Sequence, residues 1–165
     1  SFGDEVRMWQ QLRHPNVLKM YGACDAGHHL LFFVCEYACQ GSLLEHVKSS
    51  SVETQTMWKY LYEAALGLEY LHERGLVHGD LRCSNILIGS DGMANLSNFG
   101  LSGSIKASTA VSDSIVRSMR WQAPEVVEGA PPMFESDVYS LGMCILESVT
   151  REEPWGEATE EQTKM

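Results

Sequence analysis

Two polar side chains on one loop are the first candidates for chemistry in this sequence. Asp80 and Asn85 stand five positions apart in the segment VHGDLRCSNILI, residues 77–88. The surrounding pattern predicts that this loop joins a long helix to a β-hairpin, and loops held by rigid elements commonly carry catalytic groups. A carboxylate can accept a proton, and an amide oxygen can bind a metal ion. Because this spacing is common by chance, the pair alone does not identify an activity.

Three apolar segments near the start of the chain have the spacing of regular secondary structure. In the first, apolar residues recur every three or four positions, which predicts a helix with one buried face. The other two flank a turn that contains glycine, which predicts a pair of strands. The predicted elements are a helix over 2–12 and strands over 17–23 and 30–37.

Two serine-led patterns mark the starts of further helices. Ser42 is followed three positions later by Glu45, which is the capping-box pattern and predicts a short helix through about Lys48. The same pattern over 50–53 predicts a capped start for a longer helix, which ends at Gly75. The apolar stripe of that helix consists of Met57, Leu61, Ala64, Leu68 and Leu71.

The loop of Asp80 and Asn85 is followed by a predicted hairpin, a long loop and one more helix. Residues 76–77 are predicted to be a short strand, and 86–88 pairs with 94–97 in the hairpin. The Ser/Thr-rich segment 101–122 has no periodicity and is predicted to be a long loop. The last helix begins near Ser136, with apolar residues at Val138, Leu141, Ile145 and Val149.

Composition, charge and element order bound the fold and the function. A helix with strands followed mainly by helices favours an α+β fold. The formal charge is −10 and there is no basic stripe, so a nucleic acid is not an expected partner. The longest apolar run, 30–35, is too short to cross a bilayer, so no membrane segment is expected. Five cysteines without a pairing pattern favour reduced thiols and a cytoplasmic location. No oligomeric state is predicted.

An ordered series of short motifs is more specific than any one of them. The series is His78-Gly79-Asp80, Asn85, Asn98-Phe99-Gly100, Ala123-Pro124-Glu125 and Asp137-Val138-Tyr139-Ser140-Leu141-Gly142. It resembles the signature series of eukaryotic protein kinases, H-R-D-L-x-x-x-N, D-F-G and A-P-E. The residues around Trp121 are similar to those of the tyrosine-kinase-like group, and the His-Gly-Asp motif is similar to that of its oomycete-type members.

The resemblance implies roles for three residues of the first loop. Asp80 matches the aspartate that orients the substrate hydroxyl and accepts its proton. Asn85 matches the asparagine that holds magnesium through its amide oxygen. Arg82 matches the cation that neutralises the transferring phosphoryl group, a position where many serine/threonine kinases carry lysine.

The resemblance also implies a site for ATP. Glu5 matches the helix glutamate that pairs with the phosphate-binding lysine of kinases. Glu36 and Ala38 would offer backbone groups to adenine, with Cys35 as the gatekeeper and Leu87 as the floor of the pocket. A hydrophobic spine is implied by Trp9, Met20, His78 and Phe99.

Two positions depart from the usual kinase pattern, and a third indicates which hydroxyl is the substrate. Asn98 stands where the magnesium-holding aspartate of D-F-G is usual, so we expect weakened Mg²⁺ binding and impaired catalysis. Gly79 replaces the arginine that pairs with a phosphorylated activation loop. Ser118 matches the residue that favours serine and threonine over tyrosine as the hydroxyl substrate.

The same resemblance implies an incomplete kinase domain. The chain begins at the helix of Glu5, without a glycine-rich loop or the lysine strand, and we expect it to be truncated at both ends. The predicted division is a partial N-lobe over 1–36, a hinge over 37–41 and an incomplete C-lobe over 42–165. Glu125 is expected to be buried without the arginine that usually pairs with it.

Two functions remain open at this point. By family, the expected reaction is ATP-dependent phosphoryl transfer to Ser/Thr hydroxyls of proteins in signalling, with ATP and Mg²⁺ as cofactors and catalysis impaired. The alternative is a pseudokinase, a scaffold that binds a signalling partner and does not transfer phosphate. Asp80, Asn85 and Arg82 favour the first function, whereas Asn98, Gly79 and the missing lysine strand favour the second. A third possibility is an unstable fragment with no function of its own.

Overall fold

Four stretches of the chain, residues 2–25, 31–49, 52–99 and 119–156, are described by a computed structural model. Five helices and two antiparallel strand pairs lie in these stretches, so the predicted α+β fold is confirmed. In chain order they are α1 (Phe2–Gln11), β1 (Met20–Asp25), β2 (Leu31–Cys35), α2 (Leu43–Lys48), α3 (Thr54–Glu73), β3 (Ile86–Ile88), β4 (Ala94–Leu96), α4 (Pro124–Val127) and α5 (Phe134–Thr150). Short 3-10 turns span Cys83–Asn85 and Met119–Trp121.

Backbone hydrogen bonds join the amino-terminal elements to the second hairpin. Strand β1 pairs with β2, and β3 pairs with β4 around the turn at 90–92 that the sequence predicted. The segment after α1 runs beside β4, where Leu18 N donates to Leu96 O and Leu96 N donates to Asn16 O, both at 2.9 Å. These bonds place the hairpin that follows the candidate catalytic loop against the start of the chain.

Helix α3 lies at the centre of the hydrophobic core. The five residues of its predicted apolar stripe are all buried. Gly67 lies on the same helix against the backbone carbonyl of Asn16, and a Cβ at this position would collide with that oxygen. Glycine therefore permits the close approach of α3 to the segment after α1.

One residue of β4, Ala94, is held through its N–H and its carbonyl by two buried polar side chains. The Ala94 N–H donates to Glu63 Oε2 at 2.9 Å, and Asn16 Nδ2 donates to the Ala94 carbonyl at 2.9 Å. Lys59 lies 3.3 Å from Glu63 Oε1 at the exposed edge of this arrangement. Because buried backbone groups need partners, Glu63 and Asn16 secure the hairpin beneath the candidate site.

Helix α5 buries only part of its predicted apolar stripe, in which Leu141 and Ile145 are half-buried against the core. Val138 and Val149 are 59% and 62% exposed. The buried residues are small or polar ones: Ser136, Asp137, Ser140, Cys144, Glu147 and Ser148. Small side chains allow close packing, and Asp137 and Glu147 both have hydrogen-bond donors in the interior. The hydrogen bonds of these two acids therefore help to set the orientation of this helix.

Several local predictions can be compared with the structure. The capping box at Ser42 and Glu45 is confirmed. The second capping box is wrong, because Glu53 is the residue that precedes α3 and its side chain makes no capping bond. The predicted strand at 76–77 is also wrong, because these residues have no strand partner. Of the predicted loop, residues 101–118 lie outside the described stretches, and a 3-10 turn follows at Met119–Trp121. No helix in the described stretches is long and apolar enough to cross a membrane.

The Glu63–Ala94 hydrogen bond generates a stability prediction. We expect Glu63→Ala to lower the free energy of unfolding by about 1.5–3 kcal/mol, because it leaves a buried N–H group without its charged acceptor. Lys59→Ala removes only the exposed ion pair and should cost about 1 kcal/mol or less. Urea unfolding of both variants measures the difference, and equal losses would contradict the importance of the backbone contact.

Candidate functional site

The candidate catalytic residues of the first loop lie together. Asn85 Nδ2 donates to the Asp80 backbone carbonyl at 2.7 Å and to Asp80 Oδ2 at 3.0 Å. Arg82 Nε lies 3.6 Å from the same carboxylate oxygen. The 3-10 turn at Cys83–Asn85 brings the asparagine back towards the aspartate. The structure therefore joins the three residues that the sequence predicted as a catalytic group.

The Asp80 carboxyl has an environment suited to accepting a proton. Burial raises its pKa, and the opposing effects of Arg82 and the Asn85 hydrogen bond do not cancel that rise. The side chain is still 32% exposed, so a substrate can reach it. A carboxylate with a raised pKa is a stronger base than an ordinary surface aspartate.

The buried carboxylate of Asp137 holds the backbone of the same loop. Its Oδ2 accepts from His78 N at 2.7 Å and from His72 Nε2 at 2.9 Å, and its Oδ1 accepts from Gly79 N at 2.8 Å. Gly79 has a φ of 77°, a conformation that glycine adopts without steric cost. Asp137 thus positions the residues that directly precede Asp80.

Two residues after β4 are bonded to Asn85 as well. Ser97 donates to the Asn85 carbonyl from its N–H and from its hydroxyl, both at 2.9 Å. Asn98 is exposed and has a φ of 59°, and its Nδ2 donates to Asn85 Oδ1 at 3.1 Å. Asn98 therefore lies at the candidate site, on the side of Asn85 opposite Asp80.

Aromatic rings connect the site to α1. The ring centroids of Trp9 and Phe99 are 4.6 Å apart, and those of Phe99 and His78 are 6.1 Å apart. Met20, the fourth predicted spine residue, is buried in the same core. Burial lowers the pKa of His78 to about 4, although Asp137 opposes the shift, so the ring is neutral at pH 7.

The residues predicted to contact adenine lie at and after the end of β2. Cys35 ends β2 and is half-buried, and burial raises the pKa of its thiol. Glu36 N donates to Lys19 O at 2.8 Å, and the Ala38 carbonyl accepts from Gly41 N at 3.3 Å. Leu87 pairs with Ser42 by an isolated bridge, which brings β3 beside this segment.

Some predicted positions fall outside what the structure describes. Glu5 lies on α1, but its side chain is not among the described ones, and Gly100 and Ser118 lie outside the described stretches. The prediction that Glu125 is buried is wrong. It is exposed in the first turn of α4, because it follows Pro124 on the outer side of a four-residue helix.

The side chains beside Asn98 do not form a carboxylate site for a metal. Among the described residues, no group of three or more His, Cys, Asp or Glu side chains is placed to hold a metal ion. Asn85 and Asn98 meet through an amide hydrogen bond, so the Asn98 oxygen does not face Asn85. Mg²⁺ prefers oxygen ligands and usually one or two carboxylates. The arrangement as it stands therefore does not fit Mg²⁺.

Comparison with known proteins decides the family. The family model described as "Protein kinase domain" matches residues 1–165. The chain belongs to the protein kinase family. Membership confirms the predicted kinase fold.

Three plant kinases illustrate the similarity. The serine/threonine-protein kinase STY46 of Arabidopsis thaliana is 31% identical over 94% of this chain and 27% of its own length. The serine/threonine-protein kinase CTR1 of the same species is 36% identical over 94% and 20%. The mitogen-activated protein kinase kinase kinase 1a of Physcomitrium patens is 30% identical over 93% and 20%. The chain thus spans less than a third of the length of each relative.

The sequence did not predict the structural roles of two buried acids of this kinase domain. Asp137 was recognised only as part of a motif, and Glu147, which accepts from Trp121 Nε1 at 3.0 Å, was not singled out. Burial raises the pKa of Glu147. A detectable signal was their helical spacing with Ser140 and Cys144, which predicts one continuous face of small and polar residues.

The three hydrogen bonds of Asp137 generate a second prediction. Asp137→Ala should lower the free energy of unfolding by about 3 kcal/mol or more, because two backbone N–H groups lose their buried acceptor. Hydrogen exchange at His78 and Gly79 should become faster. Glu135→Ala changes an exposed acid on the same helical turn and is the control. Similar effects of the two substitutions would contradict the positioning role of Asp137.

The buried neutral His78 generates a pH prediction. The unfolded chain binds a proton near pH 6.5, whereas the folded chain does so only near pH 4. Stability should therefore fall as the pH falls through this window, by about 3 kcal/mol in total. His78→Phe should flatten the curve, while His46→Gln should not. Chemical unfolding at several pH values measures this, and parallel curves for native protein and His78→Phe would be inconsistent with it.

Proposed function

We propose that this chain carries the catalytic loop of a serine/threonine kinase, which transfers the γ-phosphoryl group of ATP to protein hydroxyls at a low rate. The observation that supports it is the hydrogen-bonded pair of Asp80 and Asn85 with Arg82 beside it. The proposed division is a partial N-lobe over 1–36, a hinge over 37–41 and an incomplete C-lobe over 42–165.

The proposed chemistry assigns one role to each of three side chains. Asn85 and Arg82 both contact Asp80 Oδ2, so Oδ1 is the oxygen assigned to the substrate proton. The substrate oxygen bonds to the γ-phosphorus as the bond from that phosphorus to the departing ADP oxygen breaks, and Asp80 receives the hydroxyl proton. The Arg82 guanidinium balances the negative charge that gathers there, and Asn85 keeps the carboxylate in place.

The proposed nucleotide site uses the segment after β2. Backbone groups of Glu36 and Ala38 would bind adenine, between Cys35 and Leu87, and Glu5 would pair with the lysine that holds the phosphates in kinases. The hydrogen bonds of Glu36 N to Lys19 O and of Gly41 N to Ala38 O support this because they fix the backbone of the segment.

The low rate follows from the position of Asn98. If Asn98 occupies the place of the D-F-G aspartate, the site has lost the carboxylate that Mg²⁺ prefers. The amide bond from Asn98 to Asn85 also favours the second candidate, a pseudokinase that binds nucleotide or a partner without phosphoryl transfer. Gly79, which cannot pair with a phosphorylated loop, favours it too.

The specificity and setting of the kinase are part of the same proposal. The names of two relatives specify serine and threonine, which agrees with the preference inferred from Ser118. We assign the chain to the tyrosine-kinase-like group, with a protein substrate or signalling partner in the cytoplasm.

Phosphoryl transfer by the full-length protein that contains this chain tests the proposal. With radiolabelled ATP and a Ser/Thr-rich peptide, we expect slow transfer that Asp80→Ala reduces about 100-fold. Asp91→Ala, which changes an exposed aspartate of the hairpin, is the control. Asn98→Asp should raise the rate about tenfold or more, because it restores a carboxylate. Absence of transfer by both the native protein and Asn98→Asp would instead support the pseudokinase.

A further inference from the structure

The hydrogen bonds around Asn85 determine how both amides are oriented. Asn85 Nδ2 makes two bonds to Asp80, so its two N–H groups are both used on that side. Asn85 Oδ1 must therefore face Asn98, and an acceptor in that position requires a donor. Asn98 supplies one through Nδ2, at 3.1 Å. Rotating either amide by half a turn would place two like atoms in contact.

The backbone also holds Asn98 in place. Ser97 bonds twice to the carbonyl of Asn85, so the two segments are joined through main chain and side chain. The φ of 59° at Asn98 lies in the left-handed region, which asparagine tolerates better than most residues. The amide pair is therefore a feature built by both segments.

A carboxylate at position 98 would change the interaction completely. It would place an acceptor about 3 Å from Asn85 Oδ1, which is also an acceptor, and two such oxygens need a shared cation. In the native chain a proton of the Asn98 amide lies between the two side chains. The negative charge of Asp80 is already paired with Arg82.

We propose that the Asn98–Asn85 amide pair takes the place of a divalent cation in ordering this site, so that nucleotide binds without Mg²⁺. This inference rests on the proposed nucleotide site and adds to it that the nucleotide binds there without a metal ion. In the native chain a hydrogen bond joins the catalytic loop to the segment after β4. With a carboxylate at position 98, the same connection would need a cation.

Nucleotide binding with and without metal tests the inference on the full-length protein that contains this chain. A fluorescent ATP analogue is titrated in excess EDTA or excess MgCl₂. For the native protein, the dissociation constants in EDTA and in MgCl₂ should agree within about threefold. Asn98→Asp should bind the analogue about tenfold more weakly in EDTA than in MgCl₂, which corresponds to the loss of one favourable interaction. Asn95→Asp adds the same charge on β4 and should behave as the native protein does.

Thermal unfolding without nucleotide gives a second readout. Asn98→Asp should melt about 2–4 °C below native protein in EDTA and recover in MgCl₂, because the cation separates the two oxygens. Asn98→Gly, which retains the positive φ and removes the donor, should melt lower in both conditions. The native melting temperature should not respond to MgCl₂ alone.

The outcomes separate this inference from the proposed function. Native binding that is about tenfold stronger with Mg²⁺ would overturn the inference and leave the kinase proposal intact. If no variant binds nucleotide under either condition, the proposed nucleotide site is wrong, and the melting experiment still decides the role of the amide pair. Equal stabilisation of native protein and Asn98→Asp by MgCl₂ would overturn it.

Discussion

The geometry of the candidate site depends on one buried carboxylate. Asp137 is 1% exposed and accepts hydrogen bonds from His72, His78 and Gly79, so it joins α5, α3 and the catalytic loop at one point. A buried charge is tolerated only when it is well paired, and these three donors supply that pairing. The position of Asp80, one residue after Gly79, follows from this contact.

Amide hydrogen bonds connect Asp80 to the segment after β4 and hold both in place. Asn85 binds Asp80 on one side and Asn98 on the other, and Ser97 binds the carbonyl of Asn85. Each bond is modest in water, but several connected bonds in a partly buried site resist rearrangement more than isolated ones do. The neutral ring of His78 and the ring of Phe99, which meet edge to face, support this network from the core.

Much of the fold could be predicted because local signals agree with tertiary packing. The stripe on α3 is buried as predicted, and the Ser42 capping box forms because serine and glutamate at this spacing satisfy each other within one turn. Helix α5 shows where such reasoning fails. Its valines recur at helical spacing, yet its small and polar face is buried, because Asp137 and Glu147 find donors only in the folded molecule.

By itself, the sequence determined which chemistry is available: an aspartate, an arginine and an asparagine in one short loop, and an asparagine after the next hairpin. Those identities and their order were sufficient to predict the family. Only the tertiary structure decided that the amide of Asn98 donates to Asn85, since this depends on the two hydrogen bonds from Asn85 to Asp80. The direction of a hydrogen bond is set by the neighbours of both partners, and residues 13 positions apart become neighbours only when the chain folds.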